Sequence, residues 1–239
     1  MAEIDLTEVL RAGLLDGVAI ALAHGGVVGS GGSAAVGSAA FAVGAACTEL
    51  GAVVHELPLI CSGQPEADDA ELDRALAAMP PGVGEVRMLM VDASGLFARP
   101  ATEASHRAGA PGVAGGDRPR AHADALIATL EASWRVTRAV ANAAFIPRQA
   151  GGRIVYLAPP TSAVGDRREL DAHADATRAG LENLARTLSI EWARYGIAPV
   201  TIAPGPRTKP GELAGVVGYL ASPAGDYFSG CQLDLRGPG

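Results

Sequence analysis

Lysine is almost missing from this chain. Its 239 residues hold 19 Lys and Arg together, and only Lys209 among them is a lysine. Chemistry that needs a helical lysine amine, as a Schiff base or a proton relay, therefore has one source. That source lies in Pro204-Gly-Pro-Arg-Thr-Lys-Pro210, whose prolines and glycine mark a loop. Aromatic residues make up 4%, too few for the stacking platforms that hold single-stranded nucleic acid. The formal net charge is −7 and the arginines are scattered, so the sequence offers no concentrated basic surface for phosphate backbones and no nucleic-acid partner is expected. The three cysteines, Cys47, Cys61 and Cys231, are odd in number and lack C-x-x-C spacing. They read as reduced, buried thiols of a cytoplasmic protein rather than a disulfide framework or a zinc site. No apolar run reaches the ~18 residues of a membrane span. The start, Met1-Ala-Glu-Ile-Asp-Leu-Thr-Glu8, is acidic where a secretory signal is basic.

What is present suits one enzyme-sized domain covering residues 1–239, since 49% of the chain is hydrophobic and that supplies a sizeable core. Short apolar runs bounded by glycine or polar residues predict strands at Val18–Ala23, Ala52–Glu56, Val86–Val91, Arg153–Leu157, Ala198–Ile202 and Cys231–Leu235. Between them, helices are predicted at 33–50, 68–79, 121–145, 174–195 and 212–221. Residues 109–120, rich in Gly, Pro and Ala, lack periodicity and predict a mobile loop. Strands alternating with helices of ten to twenty residues specify an α/β fold, a doubly wound parallel sheet of about seven strands with helices on both faces.

Several segments carry a resemblance. Gly151-Gly-Arg-Ile-Val-Tyr-Leu157, the helix from Gly180 to Ile197, Pro199-Val-Thr-Ile-Ala-Pro-Gly205, and the stretch from Leu213 through Tyr219-Leu-Ala-Ser-Pro-Ala-Gly to Leu235 are together similar to the second half of short-chain dehydrogenases/reductases. The resemblance implies a Rossmann-like domain, a bound NAD or NADP, and oligomers formed through the helices 121–145 and 174–195. Gly25, Gly29 and Gly31 have that family's G-x-x-x-G-x-G spacing, which places backbone N–H groups and a helix start at a pyrophosphate. Glu56 falls where an acidic residue meets the adenosine ribose, Gly95 in the turn after the third predicted strand, and Thr208 near the nicotinamide-amide contact.

The chain departs from the pattern at every catalytic position. Ketone reduction in the family uses a tyrosine acid, a lysine that lowers its pKa, and a serine that holds the carbonyl. Here Arg178 takes the lysine position, and Ala174 or, by a one-residue shift, His173 takes the tyrosine position. Pro159 stands for the serine, with Thr161 and Ser162 close by, and Thr129 for the asparagine on the long helix. No tyrosine is followed four residues later by a basic residue. The Asn-Asn-Ala-Gly turn reads Asp92-Ala-Ser-Gly95, which puts a carboxylate near a pyrophosphate unless Asp92 turns away to cap a helix. The adenine-side Asp is missing where Leu59–Gln64 runs. Only Pro206–Gly211 intervenes where a substrate lid is expected.

Three readings remain open at the level of sequence. The first is a non-catalytic scaffold or binding subunit, in homo- or hetero-oligomers, with an apolar helix face at Leu126, Leu130, Trp134, Leu181, Leu184, Leu188 and Trp192. The second is a non-redox lyase, dehydratase or cyclase resembling halohydrin dehalogenases, with His173 as base and Arg178 stabilising an alkoxide. The third is an NAD(P)-dependent oxidoreductase with rearranged acid groups. Each leaves room for a small-molecule ligand that the sequence does not name.

Overall fold

A computed structural model describes residues 11–25, 39–79, 85–97, 117–160 and 168–235. Among these, six parallel strands form one sheet: β1 (Ala19–His24), β2 (Val53–Pro58), β3 (Val86–Asp92), β4 (Gly152–Leu157), β5 (Ile197–Pro204) and β6 (Gln232–Leu235). The helices are α1 (Ala39–Glu49), α2 (Pro65–Ala78), α3 (Asp117–Val140), α4 (Arg168–Glu191) and α5 (Pro210–Ala221). A π-helical segment, Ala141–Phe145, continues α3. Asp117–Arg120 belong to α3 rather than to the loop predicted over 109–120, the rest of which lies outside the described residues.

Alternation within the strands builds two cores. Ala21, Leu89, Ile154 and Tyr156 face one side, against Leu72, Val136 and Leu181 from α2, α3 and α4. Ile20, Leu22, Met88, Met90, Val155 and Ile202 face the other, against Val43, Leu213 and Val217 from α1 and α5. A strand covered on both faces has no need of alternating polarity, which is why the central strands read as continuous apolar runs. Pro199 is tolerated inside β5 because pairing with β6 begins only at Thr201 and Gln232. Its missing N–H falls before that ladder, and its carbonyl accepts from Gly230 N–H at 2.7 Å.

The strand order is β2-β1-β3-β4-β5-β6. The expectation of about seven strands is corrected to six among the described residues. The difference lies outboard of β1, where β2 runs through Leu59–Gln64 directly into α2 with no further strand. The chain goes outward from β1 to β2, then crosses back over β1 to β3. That reversal opens a crevice at the C-terminal ends of β1 and β3, where doubly wound sheets receive ligands.

Candidate functional site

Three groups of side chains meet at the C-terminal edge of the sheet. At the end of β1, His24 is buried; its ring meets Phe41 edge-on at 4.7 Å between centroids, and its Nε2 lies 3.5 Å from Oε2 of half-exposed Glu56 on β2. Gly25 follows, and a Cβ built there falls 3.7 Å from both Cα and Cδ1 of Leu96, so the backbone after β3 packs directly over this glycine. At the end of β3, Asp92 is 1% exposed. Its Oδ1 accepts from the Ser94 hydroxyl at 2.6 Å and from Gly95 N–H at 3.0 Å, capping the helical turn 93–97. Gly95 therefore spends its N–H on Asp92, and a Cβ at this glycine would fall 2.7 Å from Asp92 Oδ2.

The third group sits beyond β4. Arg178 on α4 donates from Nη1 to the buried carbonyl of Pro159 at 3.1 Å, and its Nη2 is ion-paired with Asp175, three residues earlier on the same helix. One turn before Arg178, Ala174 turns inward and packs with Phe97 from the 93–97 turn and Ala125 from α3, all three buried. His173 is half-buried beside it, its carbonyl accepting from the Thr177 hydroxyl at 2.8 Å. Thr129 on α3 is fully buried and donates back to Ala125 O at 2.6 Å within its own helix. Thr208 accepts from Gly205 N–H at 2.8 Å and donates to Leu235 O at 2.9 Å, which fixes the short turn after β5.

The predicted residues thus gather in part. Gly25, Glu56, Gly95, His173, Arg178 and Thr208 all lie at the C-terminal side of the sheet, whereas Gly29, Gly31, Thr161 and Ser162 lie outside the described residues. Arg178 reaches the end of β4, but its charge is balanced by Asp175 and directed at a backbone carbonyl. Tyr156, the only tyrosine on a central strand, is fully buried with its hydroxyl 2.9 Å from Thr137 Oγ1. Burial pushes its phenol well above the ordinary value, so it stays protonated and enclosed. The thiols divide: Cys47 is buried, while Cys61 and Cys231 are only partly so, which corrects the expectation that all three belong to the core. No cluster of three His, Cys, Asp or Glu suited to a metal occurs among the described residues, and no helix there is long and apolar enough to cross a membrane.

For a dinucleotide, the described part of the crevice provides Gly25 and, beside His24, the half-exposed carboxylate of Glu56. Asp92 spends its carboxylate on the cap of the 93–97 turn, the arrangement in which it does not oppose a pyrophosphate, and Leu96 lies in ordinary contact over Gly25. The residues that sequence reasoning missed are Phe97 and Ala125, which fill the space next to Ala174, and Asp175, which takes up the charge of Arg178. The one available signal was the i, i+3 spacing of Asp175 and Arg178.

Sheet order, layers and the crevice together define the fold of short-chain dehydrogenases/reductases. Two solved structures illustrate the likeness. The chain resembles hydroxysteroid dehydrogenase from Escherichia coli with a TM-score of 0.64 at 17% identity, over 95% of this chain and 99% of that one. It resembles a short-chain dehydrogenase/reductase from Serratia marcescens with a TM-score of 0.59 at 18% identity, over 92% and 96%. No family model matches the sequence.

Proposed function

We propose that this protein uses the short-chain dehydrogenase/reductase scaffold without its redox chemistry, as a non-catalytic binding or oligomer-forming subunit. The observation that carries the reading is the packing of Ala174 against Phe97 and Ala125. An acid that protonates a substrate carbonyl has to stand open to that substrate, and this position is instead an apolar contact. Arg178 adds to it: a cation neutralised by Asp175 has little field left to lower the pKa of a neighbouring acid or to hold an alkoxide. Asp92 and Thr208 are likewise committed to backbone and side-chain partners of their own.

The outer face of α3 and α4 supports the oligomer part of the reading. Leu181 and Leu188 are core residues of the chain itself, but Ile127 is 53% exposed, Trp134 37% and Ile190 75%. Trp134 stacks on Trp192 at 6.0 Å, bridging the two helices. An apolar patch of this kind on a chain with net charge −7 suits a subunit contact in a cytoplasmic complex.

Titration of the full chain with NADH and NADPH, followed by fluorescence and thermal shift, tests the proposal. Neither nucleotide should raise the melting temperature. Saturable binding of either with hydride transfer to a ketone would replace this reading with a rearranged oxidoreductase.

A further inference from the structure

A second cavity lies at the opposite, N-terminal edge of the sheet, with a volume of about 660 Å³. Its walls carry Arg87 from the start of β3, Arg153 from the start of β4, and Arg194 from the turn after α4; among the described residues Asp226 is its one carboxylate. Arg87 and Asp92 stand near opposite ends of one strand, which separates this cavity from the crevice by roughly 17 Å at about 3.3 Å per residue. The two sites therefore share no side chain.

The charges do not balance. Asp226 is taken by Arg153, 3.1 Å from its Nη2, and Arg153 Nη1 donates to Phe228 O at 2.9 Å. Among the described residues neither Arg87 nor Arg194 is ion-paired with a carboxylate. Arg194 lies over the ring of Tyr195, 4.6 Å from its centroid, which holds the guanidinium without neutralising it. Behind the cavity wall Arg148 donates to Val86 O at 2.9 Å and Gly151 O at 2.8 Å. Burial and the nearby charge of Arg87 both lower its pKa, so positive charge is crowded here at a cost. Four of the eighteen arginines of an acidic protein thus converge on one end of the sheet.

The floor is rigid. Gly151 and Gly196 have φ of +77° and +70°, and a Cβ at Gly151 would fall 2.7 Å from Gly196 O. The two turns are locked together at a separation only glycine allows. Rigid backbone beneath unpaired guanidiniums is a preorganised receptor for an anion, and arginine forks match the oxygens of phosphate. The volume falls within the range of small-molecule sites, about 300–1,000 Å³.

We propose that this cavity binds a small, soluble phosphate-bearing molecule, gripped by Arg87 and Arg194 over the Gly151–Gly152 turn. The assignment is independent of what the crevice at the other edge does. Calorimetric titration of the full chain with inorganic pyrophosphate, against sodium chloride of matched ionic strength, tests it. Saturable binding is expected, weakened about tenfold or more in Arg87→Gln/Arg194→Gln by loss of two charge-assisted contacts. Both side chains are exposed, so the double variant should keep the circular dichroism spectrum and melting temperature of the parent. Heat no greater than that of the salt control, or equal affinity in parent and double variant, overturns the proposal. So does capture by phosphatidic-acid vesicles or poly-glutamate without any response to pyrophosphate, since the arginines would then serve a membrane or protein surface.

Discussion

Gly152 opens β4, and Phe145 ends the π-helical segment with its ring fully buried. A Cβ added at Gly152 would fall 2.7 Å from Phe145 Cδ2 and nearer still to Cγ and Cδ1. Ordinary carbon contacts lie near 3.5–4.0 Å, so the ring must retreat by about 1 Å in a core without free space. Gly152 has no positive φ, and with nothing in the way Gly→Ala at such a position stabilises by about 0.4–1 kcal/mol through the unfolded chain. Overpacking of this kind costs about 1–3 kcal/mol. Gly152→Ala is therefore expected to destabilise by about 1.3 kcal/mol net. Urea unfolding followed by circular dichroism should show the midpoint falling by roughly 0.4 M if the slope is about 3 kcal/mol per molar. Phe145→Leu removes the obstructing ring, and the double variant should be more stable than the sum of the two losses by about 1 kcal/mol or more. A stabilised Gly152→Ala protein, or strict additivity, would refute the account of this contact.

Other outcomes follow from the same geometry. Asp68 is buried, accepts from Ser62 and is paired with Arg135 at 2.9 Å; Asp68→Ala should cost about 1–3 kcal/mol in urea unfolding, because Ser62 loses its acceptor and Arg135 keeps only the 3.8 Å contact with Glu131, more than removal of the exposed Arg138–Asp69 pair. The Tyr156 phenol is raised by burial above its ordinary 10.0. The unfolded chain releases that proton first, so stability should fall as pH rises above 10, and Tyr156→Phe should flatten that limb of the pH–stability curve. Burial pushes the Cys47 thiol up to about 12; at pH 8 a thiol reagent should modify Cys61 and Cys231 in the native protein and Cys47 only after denaturant is added. Replacing Ile127 and Ile190, 53% and 75% exposed, by serine should dissociate an oligomer seen by analytical ultracentrifugation while moving the melting temperature of the monomer little.

The fold was legible because the signal for a sheet covered on both faces is local: runs such as Val86-Arg-Met-Leu-Met-Val91 need no knowledge of their neighbours. Helix starts were less so. Pro65 begins α2 ahead of the amphipathic stretch from Asp68, since proline suits the first turn, and α4 begins at Arg168, before any apolar periodicity. At the site, Asp92 turned out to be the helix cap that its sequence position allowed. Phe97 and Ala125 gave no warning, because contact across 77 and 49 residues with Ala174 leaves no trace in spacing. The arginines show the same limit: along the chain they look scattered, and only the parallel sheet, which lines up every strand start on one edge, brings Arg87 and Arg153 beside Arg194.

Among the described residues β2 stands at the margin of the sheet, with β1 alone beside it. An open strand edge is a template for another chain, and a run of exposed valines would invite stacking. Val53 is indeed 53% exposed, but Glu56 follows it with a half-exposed carboxylate and Pro58 closes the strand without an N–H to offer. At this edge the duty of keeping molecules apart thus falls on these two residues. Replacing both with valine should make the protein form fibres on mild heating, followed by thioflavin fluorescence.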